Sequence, residues 1–160
     1  MSSKQNEGRL FENRVHNILS NTKSKLYSEK EIKSTYSTHI SGIDHLIIQD
    51  DYCIAIQDKH VRSKKPTNND IHHFKACVND LSKIIKKKII GVYLSILEPT
   101  TPASKSIEFE NKTNQNEFIF INNQNIDKLI YEFVTFLYKK NIYIYENEDL
   151  LMIDKNMILE

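Results

Sequence analysis

Two β-branched-rich stretches, residues 43–48 and 52–59, are separated only by Gln49, Asp50 and Asp51. So short a spacer between apolar runs reads as the turn of a hairpin of two well-buried strands. A turn centred between Asp50 and Asp51 pairs residues whose numbers sum to 101, which sets Asp44 opposite Gln57. Lys59 is then a diagonal neighbour, close enough for a long side chain to reach Asp44. Because side chains alternate along a strand, Gln57 and Lys59 share the face of Asp44, while Asp58 points to the other side. The same face continues with Leu46, Ile48, Cys53 and Ala55. The three polar groups thus emerge at the edge of an apolar surface, where burial without partners is costly.

The rest of the chain supplies layers for this hairpin. Leu10, Phe11, Val15, Ile18 and Leu19 recur at helical spacing, which predicts a first helix over residues 9–20. Residues 26–32 alternate weakly and read as a first strand. Pro66 and the polar run Thr67-Asn68-Asn69-Asp70 form a capped helix start, followed by a stripe of Ile71, Phe74, Cys77, Val78, Leu81, Ile84 and Ile85. Lys75, Lys83, Lys86 and Lys87 fall away from that stripe. Residues 89–96 are almost continuously apolar, as in a strand buried on both faces. Residues 98–117, with two prolines and many Thr, Ser and Asn, read as an exposed connector. A short strand over 118–121 and an amphipathic helix through Ile126, Leu129, Ile130, Phe133, Val134 and Leu137, capped by Asn125, follow. A tail with Tyr143, Tyr145 and residues 150–159 is expected to pack in part on the body. The element order predicts an α/β sandwich with helices on both faces of a mixed sheet.

With 160 residues, the chain suits one domain spanning 1–160, comprising a core over 7–96, a connector over 98–117 and a strand, helix and tail over 118–160. Hydrophobic residues at 39% against 27% charged, with eight Tyr and seven Phe, exclude collagen-like, low-complexity and disordered classes. No apolar run reaches the length of a membrane span and no apolar leader opens the chain, so the sequence predicts a soluble, intracellular protein. Cys53 and Cys77 lie within apolar patterns and read as buried thiols, not as a disulfide. The net charge of +1 conceals an asymmetry: residues 1–95 carry sixteen Lys or Arg against ten Asp or Glu, and the remainder six against eleven. A basic front half suits a polyanion-binding surface.

Asp44 and the amide oxygen of Gln57 are hard oxygen donors of the kind Mg²⁺ takes, since that ion keeps several waters and needs few protein carboxylates. Lys59 adds a positive charge beside them, suited to stabilising the charge that grows during phosphodiester hydrolysis. Glu12, on the flank of the apolar face of the first helix, can look inward toward the same place. The competing structural readings are a salt bridge from Asp44 to Lys59 across the hairpin and a solvated flank carboxylate at Glu12.

Gly8-Arg9-Leu10-Phe11-Glu12 before an apolar helix, Ser41-Gly42-Ile43-Asp44 opening a strand and Ile54-Ala55-Ile56-Gln57-Asp58-Lys59 closing the next together resemble the PD-(D/E)XK nuclease superfamily. More narrowly, the pattern is similar to the Mrr-type restriction endonuclease catalytic domain, in which Gln often stands where relatives carry Glu. The resemblance covers about residues 7–96. It implies a restriction-endonuclease-like three-layer fold, with Asp44, Gln57, Lys59 and Glu12 as the active centre and Mg²⁺, replaceable by Mn²⁺, as cofactor. Metal ligands would be Asp44, Gln57, Glu12 and the backbone carbonyl of Asp58. Holliday-junction resolvases belong to the same superfamily, so the resemblance implies endonucleolytic cutting of DNA, with branched DNA as a reasonable substrate and a homodimer as the working form. Two other functions stay open: a nuclease-fold DNA-binding module without catalysis, since neutral Gln57 weakens a cation site, and a subunit docking a larger nucleic-acid enzyme through the C-terminal segment.

Around this centre, Arg62, Lys64 and Lys65 lie in the loop after the active-site strand, placed to grip phosphates without reading bases. His60 is a candidate for phosphate contact, although it faces opposite to Lys59, and His72 with His73 opens the second long helix, near a DNA backbone. Their spacing does not make a zinc site. Lys83, Lys86, Lys87 and Lys88 read as ordinary charge at a helix end.

Overall fold

A computed structural model describes residues 3–113 and 116–144. Its elements in chain order are α1 (Ser3–Ser20), β1 (Lys25–Ser28), α2 (Glu29–Thr35), β2 (His45–Ile48), β3 (Tyr52–Lys59), α3 (Asn68–Ile85), β4 (Lys88–Ser95), α4 (Thr101–Thr113), β5 (Glu117–Asn122) and α5 (Ile126–Lys139). The strands form a single mixed sheet in the order β1-β2-β3-β4-β5, antiparallel from β1 to β3 and parallel from β3 to β5. None of the described helices is long and apolar enough to cross a membrane.

Strand alternation splits the core in two, giving three layers. On one face, Phe11, Val15, Ile18 and Leu19 of α1 and Leu129, Ile130, Phe133, Val134 and Leu137 of α5 cover Ile47, Ile54, Ile56, Ile90, Val92 and Leu94. On the other, Ile32 of α2, the α3 stripe and Ala103 of α4 cover Leu46, Cys53, Ala55, Ile89, Tyr93 and Phe118. Burial of aliphatic side chains on both faces stabilises the sheet by about 1.5–3 kcal/mol each. Gly91 at the centre of β4 permits close packing, because a Cβ there would stand 2.9 Å from the Phe118 ring and 3.0 Å from the Phe74 ring. Both cysteines are buried free thiols.

The mixed sandwich, the hairpin, the buried β4 and the Asn125 cap occur as the sequence predicts. The Asn125 side chain accepts from the backbone N–H of Lys128. Thr67 likewise caps α3 in a reciprocal capping box with Asp70. Four expectations are corrected. First, α1 begins well before Arg9, at Ser3, because its first turns are polar and leave no apolar period to read. Second, 26–32 is not one strand: β1 stops at Ser28, whose side chain and Glu31 form a capping box that starts α2. Third, 98–117 is not a bare connector but holds α4. Its Pro102 falls in the first turn, where a missing N–H costs nothing, and Ala103 is fully buried. Fourth, α4 covers the flank of α3, so Lys75 is only 4% exposed and its Nζ donates to the Ser106 hydroxyl at 2.7 Å, whereas Ile84 on the expected stripe is exposed. Ile142 and Ile144 pack in the core under α1; Tyr145 and 150–159 lie outside the described residues.

Candidate functional site at the end of the hairpin

The register of the hairpin decides which side chains meet. His45 pairs with Ile56, Leu46 with Ala55, Ile47 with Ile54 and Ile48 with Cys53. All sum to 101, but the Asp44 N–H donates to the Ile56 carbonyl at 2.8 Å, a bond whose positions sum to 100, so Asp44 and His45 both stand against Ile56 as in a β-bulge. The paired positions end at His45 and Ile56, and the expected placement of Asp44 opposite Gln57 is corrected: the bulge breaks the register before it reaches Asp44. The Asp58 N–H donates to Asp44 Oδ2 at 2.9 Å, which fixes the carboxylate over the end of β3. Gln57 is buried and Lys59 exposed. Among the described residues neither the Gln57 amide nor the Lys59 ammonium has a hydrogen-bond or ion-pair partner. The salt bridge from Asp44 to Lys59 does not form.

Burial raises the Asp44 carboxyl to about 8, helped by the charge of Asp58 and, more weakly, of Glu12, against the opposing effect of the Asp58 N–H. Asp58, as the alternation requires, faces the other layer. Its Oδ2 lies 2.6 Å from Nε2 of the buried His45. Burial pushes Asp58 up to about 7, with Glu12 adding to the effect, and burial pulls His45 below its ordinary value. The pair is thus a hydrogen bond between poorly ionised groups. The opposite Nδ1 of His45 is buried without a partner, and the His16 ring of α1 lies 6.0 Å away.

Glu12 reaches the same end of the hairpin from α1. It is exposed, free of any ion pair among the described residues, and its charge acts on Asp44, His45 and Asp58. The structure therefore sets Gln57 and Lys59 on the Tyr93 side of β3, while Asp44, held by the Asp58 N–H, lies within reach of the charges of Asp58, His45 and Glu12. Among the described residues no three His, Cys, Asp or Glu side chains converge as a ready cage for a cation. A divalent ion would depend on Asp44, the Gln57 amide oxygen and backbone or water oxygens. That donor set fits Mg²⁺, which keeps most of its waters, and the raised pKa of Asp44 reflects a buried carboxylate without a cationic partner in contact.

The outlying residues separate. His60 points away from Lys59, its side chain 2% exposed, its ring against Phe11 and its Nδ1 3.8 Å from Glu7; it is held inside the protein, not on its surface. Arg62 reaches the same Glu7 carboxylate at 3.7 Å, and Lys65 binds Glu98 at 2.8 Å. Lys64 and His72 are exposed. His73 lies against Ser41 and Cys77 instead, and a Cβ on Gly42 would stand 3.0 Å from its ring. Apolar periodicity gives no sign of the His45–Asp58 pair, although the same register arithmetic contains it: His45 shares a face with Ile56 and hence with Asp58.

No protein-family model matches the chain, and no curated protein matches it. Among solved structures, a repair endonuclease from Pyrococcus abyssi is similar at a TM-score of 0.46 and 18% identity, covering 75% of this chain and 46% of that one. An EndoMS-dsDNA2 complex is similar at a TM-score of 0.46 and 17% identity, covering 75% of this chain and 44% of that one. The chain spans less than half the length of either.

Proposed function

We propose that this chain is a metal-dependent endonuclease that hydrolyses DNA phosphodiester bonds, built on the PD-(D/E)XK plan in its Mrr-type form. The observation that carries the reading is the hairpin end itself. Asp44 is pinned by the Asp58 N–H, and Gln57 and Lys59 flank Asp58 at the end of β3, neither the amide nor the ammonium being paired among the described residues. Such an arrangement leaves a carboxyl oxygen, an amide oxygen donor and a cation available to a ligand. A protein using these groups only for stability would pair them.

In this reading Asp44 and the Gln57 amide oxygen hold Mg²⁺ or Mn²⁺, with Glu12 supporting through water and the Asp58 carbonyl as a further oxygen. The ion, when bound, supplies Lewis acidity toward a phosphoryl oxygen and lowers the pKa of a water. Lys59 places its ammonium beside the phosphoryl group and stabilises the negative charge that develops there. The His45–Asp58 hydrogen bond anchors β3 from the other face, so that the Asp58 N–H stays aimed at Asp44. Exposed Lys64 holds the strand by its phosphates, together with Arg62 and Lys65 once these exchange Glu7 and Glu98 for DNA. His72, exposed on the first turn of α3, is a further backbone contact. Branched DNA as substrate and a symmetric homodimer as the cutting form belong to the same proposal.

The test is cleavage of supercoiled, linear and branched DNA by the purified protein with Mg²⁺, Mn²⁺ or EDTA, beside Asp44→Ala and Lys59→Ala. Metal-dependent cutting by the wild type, lowered at least about a hundredfold in each variant, is expected from loss of one transition-state contact. Equal cutting by all three proteins would show that the centre lies elsewhere. DNA binding without cutting in any metal would favour the binding-module function, for which neutral Gln57 is the specific ground.

A further inference from the structure

Next to Lys59, the ends of β3 and β4 and the loop leading into α3 enclose a cavity of about 160 Å³, whose lining includes Lys59, Lys64, Lys65, Asp70, Tyr93 and Ser95. The volume would hold about five waters. Tyr93 is only 3% exposed. Its ring is fixed by stacking on Phe120, with centroids 5.2 Å apart, and by an edge contact to Phe74 at 5.6 Å. Its hydroxyl has no hydrogen-bond partner among the described residues and is not among their fully buried unpartnered atoms, so it opens to solvent at the cavity. Ser95, 2% exposed, accepts from the Leu97 N–H at 3.1 Å, which leaves its hydroxyl proton free to donate.

The charges around these hydroxyls favour an anion. Lys59 and Lys64 have no ion-pair partner among the described residues, while Lys65 is engaged by Glu98 at 2.8 Å. The opposing carboxylate, Asp70, is occupied at the start of α3, accepting at Oδ2 from the Thr67 N–H at 2.8 Å and hydroxyl at 3.1 Å. Burial, and then the charges of Asp70 and Asp44, push the Tyr93 phenol up. It therefore remains a protonated donor at neutral pH.

We propose that this cavity is a phosphoryl subsite, in which the Tyr93 and Ser95 hydroxyls and the Lys59 and Lys64 ammonium groups receive the non-bridging oxygens of a phosphate adjacent to the one attacked at Asp44. The inference rests on the nuclease reading for its nucleic-acid strand, but not for its anion. Two sources share the chemistry: an internal phosphodiester one nucleotide along, or the phosphate monoester at a strand end.

The experiment is fluorescence anisotropy in EDTA with short oligothymidylates bearing a 5′-phosphate, a 5′-hydroxyl or a 3′-phosphate, and with a circular oligothymidylate as competitor. Wild type is compared with Tyr93→Phe, which keeps the stacked ring and removes only the hydroxyl, and with exposed Lys64→Ala. Tyr93→Phe is expected to weaken binding about five- to tenfold, as loss of one hydrogen bond to a charged group does. A loss confined to phosphate-bearing ends assigns the monoester; an equal loss on the circle assigns the internal diester. Unchanged affinity of both variants on every ligand overturns the subsite. If Tyr93→Phe weakens binding while the wild type cuts nothing in any metal, the subsite stands and the nuclease reading falls. Cutting by the wild type with unaltered binding by the variants has the opposite meaning.

Discussion

Replacing Asp44 by Asn should change how stability depends on pH. Burial holds the Asp44 carboxyl at about 8 in the folded chain, against about 3.9 in the unfolded one. The folded state therefore keeps a proton over that window which the unfolded state has lost, and stability falls as pH rises. The contribution is fully present below the ordinary carboxylate value and gone above about 8. For one group with these two values, integration from about pH 6 to pH 8 gives a loss of about 2 kcal/mol. For a chain of this size that corresponds to a fall in melting temperature of about 4–8 °C. Buried His45 has the opposite sign: its depressed pKa contributes stability at high pH that is lost as pH falls. The decisive quantity is accordingly the difference between wild type and Asp44→Asn, which retains an oxygen for the Asp58 N–H. Calorimetric melting in EDTA at the two pH values should show a steeper decline for the wild type by about 2 kcal/mol, and Mg²⁺ should raise the wild-type melting temperature more at the higher pH. Parallel pH dependences in the two proteins would mean that Asp44 is not a buried, uncompensated carboxylate, and the metal-site argument would lose its electrostatic basis.

Three further outcomes follow from single positions. Gln57→Glu adds a carboxylate next to Asp58, whose N–H holds Asp44, and should tighten Mn²⁺ binding about tenfold or more by calorimetry, while lowering the metal-free melting temperature through like-charge repulsion. Gly42→Ala places a Cβ 3.0 Å from the His73 ring and 3.2 Å from Cys77 Sγ and should cost about 1–3 kcal/mol in urea unfolding; shortening the clash partner with His73→Ala should recover most of it. Lys86, the left-handed C-cap of α3 at φ 61°, should stabilise by about 1 kcal/mol when replaced by Gly, read as a shift in denaturant midpoint.

The hairpin was legible because strand pairing is discrete. Once the turn is centred between Asp50 and Asp51, the partners from Ile48 and Cys53 to His45 and Ile56 follow by subtraction, and a slip of one residue would expose Ile47 and Ile54; the bulge at Asp44 was not legible, since nothing in the spacing marks it. The α3 and α5 caps were legible because Thr67 and Asn125 stand immediately before apolar stripes. The α4 segment was not, since Pro99, Pro102 and its polar residues resemble a loop, and Ala103 and Ile107, which pack into the core around α3, give too little apolar period to read. Its helicity is decided by that docking, not by local propensity. The Tyr93 hydroxyl, without a hydrogen-bond partner among the described residues, was likewise invisible. It depends on Phe74, Phe118 and Phe120 filling the space around the ring, a property of three elements together.

The two helical layers differ in how far apart in the chain their parts lie. Arg14 of α1 meets Asp127 in the first turn of α5 across 113 positions, and Ile144 bridges back to Thr22, whereas α3 directly precedes the β4 strand it covers. Closing the α1 side requires a long loop to be drawn in before its contacts give any return. Pulse-labelled amide exchange should accordingly find β4 and α3 protected ahead of α1, so that during refolding Lys59 is seated on its sheet before Glu12 arrives from the opposite layer.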